Sequence, residues 1–150
     1  MGDEPWSNLV TLDILPDHLP DVVADLNDPL PFADSVFDEV HAYEILEHLG
    51  QQGDAVSFFA TFSEIWRVLV PNGILVATCP AAGSPWVWGD PSHRRYIGPE
   101  SLVFLSQKQY EEQVGVTPMS DFRDIYQADF RTLWSRSWQH TFAFILQAVK

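Results

Sequence analysis

The chain has 150 residues, is 46% apolar and 13% aromatic, carries a formal net charge of -13 and has one cysteine, Cys79. That length suits a single domain over residues 1–150, with one core. It excludes an internal disulfide, and no apolar run approaches the ~18 residues of a membrane helix. Residues 1–54 hold thirteen Asp or Glu and no Lys or Arg, so the field of this half opposes a phosphate backbone. Neither a nucleic-acid nor a membrane partner is expected. The opening "MGDEPWSNLV" lacks the basic-then-apolar order of a signal peptide, and a cytoplasmic location is expected.

Residues 9–15, "LVTLDIL", and 20–26, "PDVVADL", read as strands, and "NDPLPFADS" between them and the next element is loop. Residues 37–42, "FDEVHA", form a third strand. Residues 54–70 place Val56, Phe59, Phe62, Trp66 and Leu69 at helical spacing. "PNG" ends that helix, and "ILVATC" (74–79) is an apolar run suited to a strand buried on both faces. A loop rich in Pro and Gly follows. A helix over 99–113 has Pro99 at its first position. Residues 122–130 and 140–149 read as two more strands, joined or extended by "RTLWSRSWQ". Neither repeats nor a low-complexity linker divides the chain. Helices alternating with strands point to an α/β sheet with crossovers, whose ligands sit at the carboxyl ends of the strands. Those ends are Asp13, Asp25 with Leu26, Ala42 with Tyr43, and Pro80 with Ala81.

The stretch "HAYEILEHLG" (41–50) reads as a strand entering a short helix, with Glu44 and His48 four apart on one face. A zinc site wants three protein ligands and an open position. The order here is E-x-x-E-H rather than H-E-x-x-H, and a third ligand would be remote, His93 or Asp13. A carboxylate in the first turn and a histidine in the last are both favoured by the helix dipole. That electrostatic reading accounts for Glu44 and His48, and no metal site is expected.

Three ordered pieces carry a family resemblance: "LDI", "ADLNDPLPFADSVFDEVHAYEILEHL" and "FSEIWRVLVPNGILVATCP". Together they resemble the class I S-adenosylmethionine-dependent methyltransferases, most of all the small methyltransferase-domain group. The likeness runs from about Leu9 to Pro80 and more weakly through "DPSHRRYIGPESL". It implies a Rossmann-like methyltransferase sheet, mainly parallel with an antiparallel last strand, and S-adenosyl-L-methionine as cofactor. By position, Asp13 with Ile14 would hold the ribose hydroxyls, and Asp25 with Leu26 the adenine. Ala42 and Tyr43 would lie beside the methionine part. An ordinary strand end for Asp13 and an Asx turn for Asp25 remain open.

The chain departs from that family ahead of Asp13. The family's first strand and glycine-rich loop, of the form G-x-G-x-G, are replaced by "MGDEPWSNLV", where Gly2 alone could be the tail of such a loop. The sheet is expected to be N-terminally shortened, and weak cofactor binding follows from the missing amide donors. The implied function is methyl transfer to an unidentified small-molecule acceptor, by positioning and a base. The candidates for that base are His93, Tyr43 and Glu44. Arg94 and Arg95 could hold an anionic acceptor, and Trp86 and Trp88 could line its pocket or anchor the loop, which is expected over the strand ends. The alternative is a non-catalytic methyltransferase-like module for binding or dimerisation. A homodimer is compatible with either reading.

Overall fold

The structure, a computed structural model, describes residues 8–150. Six strands are present among these residues: β1 (Leu12–Asp13), β2 (Val22–Val23), β3 (Phe37–Tyr43), β4 (Leu69–Pro80), β5 (Phe130–Trp138) and β6 (Thr141–Ala148). The helices are α1 (Ala55–Val68), α2 (Trp86–Gly89), α3 (Pro99–Val103) and α4 (Gln107–Gln113). Single 3₁₀ turns occupy Pro16–His18 and Leu46–His48.

The larger sheet has the order β3-β4-β6-β5. β3 pairs parallel with β4, whereas β6 runs antiparallel to both β4 and β5. Three strands therefore share one direction and only the last in sequence is reversed, as the family resemblance implies. β1 and β2 form a separate parallel ladder, with Leu12 opposite Val22 and Asp13 opposite Val23. The expected strands over 9–15 and 20–26 contract to these two pairs. Prolines at 16 and 20 bracket the connection and cannot donate to a ladder.

β4 is interior, but only one of its faces is fully covered. Leu75, Ala77 and Cys79 lie opposite Leu146, Phe144 and Phe142 of β6, and all six are buried. Ile74, Val76 and Thr78 on the other face are half-buried. The covered face meets α1, whose Phe59, Phe62 and Ile65 join the same core with Tyr110, Tyr126 and Phe130. Asp54 caps α1 by accepting a hydrogen bond from the Ser57 amide at 3.0 Å. Near its end Arg67 donates to the Phe32 carbonyl and Asp34 Oδ1, both at 2.8 Å, and to Glu64 and the Leu30 carbonyl, fastening the proline loop before β3.

Three expected elements change. The helix over 99–113 is broken at Phe104–Ser106, because the Leu105 carbonyl accepts from the Phe130 amide (2.9 Å) and the Tyr126 hydroxyl (3.0 Å). Asp129 then caps the Gln107 amide at 2.8 Å. Of the expected strand over 122–130, only Phe130 joins a ladder. Tyr126 and Ala128 are buried, but their carbonyls accept from the Gln107 amide group instead of a ladder. The strand is instead the segment read as a connection, Phe130–Trp138. The turn after β3 is 3₁₀ rather than α-helical, with Glu44 outside it.

Candidate active site

The site begins where β3 ends. Glu44 adopts a left-handed backbone, φ 50°, unusual for a residue with a side chain. Its amide still donates to the Thr78 carbonyl at 2.9 Å, so the chain follows β4 one step further and then turns into Leu46–His48. A 3₁₀ turn advances about 120° per residue. The Glu44–His48 face expected of an α-helix is therefore not formed in that way. Glu47 points inward and is 1% exposed.

The loop after β4 is laid against this turn. Val87 is buried and anchors α2, while Trp86 and Trp88 on either side are exposed. The amides of Arg94 and Arg95 both donate to the Glu47 carbonyl, at 2.8 and 3.1 Å, and the Gln52 amide donates to the Arg94 carbonyl at 2.8 Å. Arg95 is buried. Its guanidinium donates to the Leu49 carbonyl and the Ser57 hydroxyl, both at 2.7 Å, and lies 5.3 Å over the Phe58 ring. Arg95 is thus a clamp, unavailable to an anionic acceptor.

This docking brings His93 beside His48, their rings 4.7 Å apart edge to face. Nε2 of His93 is 3.9 Å and Nε2 of His48 is 4.0 Å from Oε1 of Glu47. A cavity of about 420 Å³ opens next to them, lined by Glu44, Glu47, His48, Asp90, His93 and His140 together with Pro80, Trp86 and Thr141. Burial, first, and the charge of Glu44 push the Glu47 carboxyl above its ordinary pKa, against the opposing pull of His48 and His93. Burial also pushes the Cys79 thiol far up, with the Glu47 and Glu44 charges adding to it.

Of the expected bases, Glu44 and His93 line this cavity and Tyr43 does not; the Tyr43 hydroxyl lies 2.6 Å from Nδ1 of His41. Among the expected cofactor contacts, Asp13, Ile14 and Asp25 also lie outside the lining. Asp13 Oδ1 accepts from the Leu15 amide and its Oδ2 lies 2.8 Å from His18 Nδ1, so its carboxyl sits below the ordinary range, the His18 bond contributing most. Asp25 Oδ1 accepts both the backbone and side-chain N–H of Asn27 at 2.8 Å, the Asx turn that the sequence allowed, and these bonds depress its pKa too. Ala42 is in the core, Leu26 packs against it, and Ile14 and Tyr43 are exposed. Gly2 lies outside the described residues.

Sequence reasoning missed Glu47, Asp90, His140 and Thr141. Glu47 stood in the motif beside His48 and was passed over for Glu44. His140 and Thr141 carry no local signal. They arrive through the β5–β6 turn, where the His140 carbonyl accepts from the Ala81 amide at 2.9 Å.

Residues 7–77 match the model of a family described as a methyltransferase domain, just under half of the chain. No curated protein matches the sequence. A S-adenosylmethionine-dependent methyltransferase from Archaeoglobus fulgidus is similar in structure, with a TM-score of 0.56 and 16% identity over 91% of this chain and 74% of that one. The N-methyltransferase NodS from Bradyrhizobium japonicum, solved with S-adenosyl-L-homocysteine, is similar with a TM-score of 0.50 and 13% identity over 93% of this chain. The chain spans 65% of the length of NodS. The family match ends within β4, so His93 and His140 lie beyond it.

Proposed function

The chain has the fold of a class I S-adenosylmethionine-dependent methyltransferase and, over residues 7–77, the sequence pattern of a methyltransferase domain, and on that premise we propose that it methylates a small-molecule acceptor held in the cavity beside Glu44, His93 and His140. One observation carries this reading. Six titratable side chains converge on a 420 Å³ space at the carboxyl ends of β3 and β4, where an open α/β sheet binds ligands and at a size that suits one.

The strand ends suit the cofactor. Asp13 ends β1 and Asp25 lies two residues beyond the end of the adjacent parallel β2; both are partly solvent-accessible, and each carboxylate keeps acceptor capacity beyond the bonds it makes within the chain. Asp13 would accept from the ribose hydroxyls, and Asp25 with Leu26 would meet the adenine. S-adenosylmethionine, when bound, supplies a methyl group already activated by its sulfonium. The chain's own residues then have three tasks. Trp86 and Pro80 wall the acceptor in apolar surface. The carboxylates of Glu44 and Asp90 favour positive charge at the cavity. A lone pair of the acceptor must be freed, and Glu44 or His93 takes the proton it loses. A cytoplasmic chain acting on a small molecule, apart from nucleic acid and membrane, is part of the same reading. Among the described residues no helix is long and apolar enough to cross a membrane.

A second reading, a non-catalytic module, is favoured by the internal bonds that already engage Asp13 and Asp25. Thermal-shift titration with S-adenosyl-L-homocysteine separates the two. Stabilisation that Asp13→Ala removes supports cofactor binding. An unchanged melting temperature at millimolar ligand supports the module.

A further inference from the structure

Three side chains of metal-ligating type, Glu47, His48 and His93, converge in this cavity wall. Nδ1 of His48 lies 3.2 Å from the Ser92 carbonyl, and Nδ1 of His93 lies 3.3 Å from the Val87 carbonyl. A carbonyl oxygen only accepts, so each Nδ1 is placed to carry a proton, and Nε2 is the nitrogen left to bind a metal ion. The two Nε2 atoms lie 4.0 and 3.9 Å from Oε1 of Glu47. Neither separation is the roughly 2.7–3.2 Å of a hydrogen bond. Glu47 is 1% exposed, and neither of its carboxylate oxygens has a hydrogen-bond partner. A buried carboxyl group in this state is costly when ionised unless a cation faces it, and burial raises its pKa accordingly.

We propose that Glu47, His48 and His93 bind a divalent transition-metal ion of the zinc type, with an open coordination position directed into the cavity. Candidate ligand atoms of the three residues all lie within 4.8 Å of one another. Two imidazoles and one carboxylate are a donor set of catalytic zinc sites, which keep a fourth position free. Imidazole nitrogen selects zinc-like ions over magnesium or calcium, which prefer oxygen. Each histidine is oriented by a bond from its other nitrogen to a carbonyl, the arrangement that fixes the tautomer of metal-bound histidine. Bonds of about 2.0–2.2 Å would set the ligand atoms roughly 3.3–3.5 Å apart in a tetrahedron, about half an ångström closer than the two histidine nitrogens lie to Glu47 Oε1 and closer still than the 4.8 Å that bounds the whole set. Small side-chain rotations close that difference. The Asp90 carboxylate, 3.8 Å from Nε2 of His93, stands beside the open side.

The ion's role rests on the methyl-transfer reading, but its binding does not. At the open position it would hold an acceptor oxygen and lower that oxygen's proton affinity. His93 would then be a ligand, leaving Glu44 to take the proton.

The test uses the 150-residue chain without cofactor. Isothermal titration with ZnCl₂ should give one site. Removing a ligand in His48→Ala, His93→Ala or Glu47→Gln should weaken binding by about 100-fold or more, judged against the 10- to 100-fold loss typical of outer-shell changes. His41→Ala, away from the cluster, should leave affinity unchanged, and MgCl₂ should produce no comparable binding. Cobalt substitution should give the visible spectrum of a tetrahedral ion. Glu47→Gln removes a buried unpaired charge and is expected to fold, so its loss of binding reads ligation and not unfolding. Absence of zinc binding, or equal affinity in wild type, His93→Ala and Glu47→Gln, overturns the proposal. The homocysteine-derivative titration with Asp13→Ala fails or succeeds independently.

Discussion

Nε of Arg95 donates to the Leu49 carbonyl at 2.7 Å, joining the loop after β4 to the turn after β3. The same guanidinium reaches the Ser57 hydroxyl and the Gln51 carbonyl. A lysine has one ammonium in place of this planar fork and cannot reach all three. Arg95→Lys is expected to lower stability by about 1–3 kcal/mol, the range for buried acceptors left unpaired. Urea unfolding measures it. Because the loop also carries His93, the variant should weaken zinc binding as well; unchanged stability and affinity together would mean that the clamp does not hold the loop.

Gly50 lies against that clamp. Its φ is +62°, and an added Cβ would collide with the Ser57 hydroxyl and the Arg95 guanidinium. Gly50→Ala therefore meets backbone strain and a steric conflict together. A loss of about 2–6 kcal/mol is expected, strain and displacement each contributing about 1–3. Gly53, also at positive φ, has open space around its Cβ position. Gly53→Ala should cost less, and thermal melts of the pair test the order.

Acid sensitivity should run through Glu64. Its bond from Arg67 holds its pKa below the ordinary 4.5. A carboxyl depressed in the folded state adds stability that is present above its unfolded pKa and is lost as pH falls through the folded value. The contribution of Glu64 should thus be intact at neutral pH and fade below about pH 4.5. Glu64→Gln should be less stable at pH 7 and show a shallower fall between pH 4.5 and 3. Parallel acid slopes in the two proteins would rule out Glu64 as a source of the sensitivity.

Metal removal gives a prediction of opposite sign to most substitutions. In chelator-treated protein, Glu47→Gln should be more stable than wild type by about 1–3 kcal/mol, since the amide supplies donors where the carboxylate has none. With zinc added, the order should reverse. Denaturant unfolding with and without chelator measures both states, and a less stable variant under chelation would mean that the carboxylate is already satisfied.

The parts of the fold legible in the sequence are those whose pattern is long and locally determined. The apolar spacing from Val56 to Leu69 marked α1, and the run at Ile74–Cys79 marked the centre of β4. Short alternations misled. Tyr126, Ala128 and Phe130 alternate like a strand, but Gln107, distant in sequence, takes the carbonyls of the first two. At the site, the motif around His48 and the loop around His93 were both visible, and the resemblance placed them near strand ends. Which glutamate joins them depends on a 3₁₀ turn in place of an α-helix, a difference of phase that residue spacing alone does not carry. His140 depends on a hairpin whose ladder spans the whole sheet.

β6 is the last strand in sequence, yet it occupies the space between β4 and β5. During synthesis β3 and β4 can pair early, but the second edge of β4 and the inner edge of β5 must wait for Thr141–Ala148 to emerge. Until then Leu75, Ala77 and Cys79 lack their cross-strand partners, and two strand edges stand open to other chains. The cavity wall formed by His140 and Thr141 comes into being in that same final step. The cavity is therefore complete only once Thr141–Ala148 has joined the sheet, and a nascent or proteolytically shortened form lacking that strand would be exposed to aggregation.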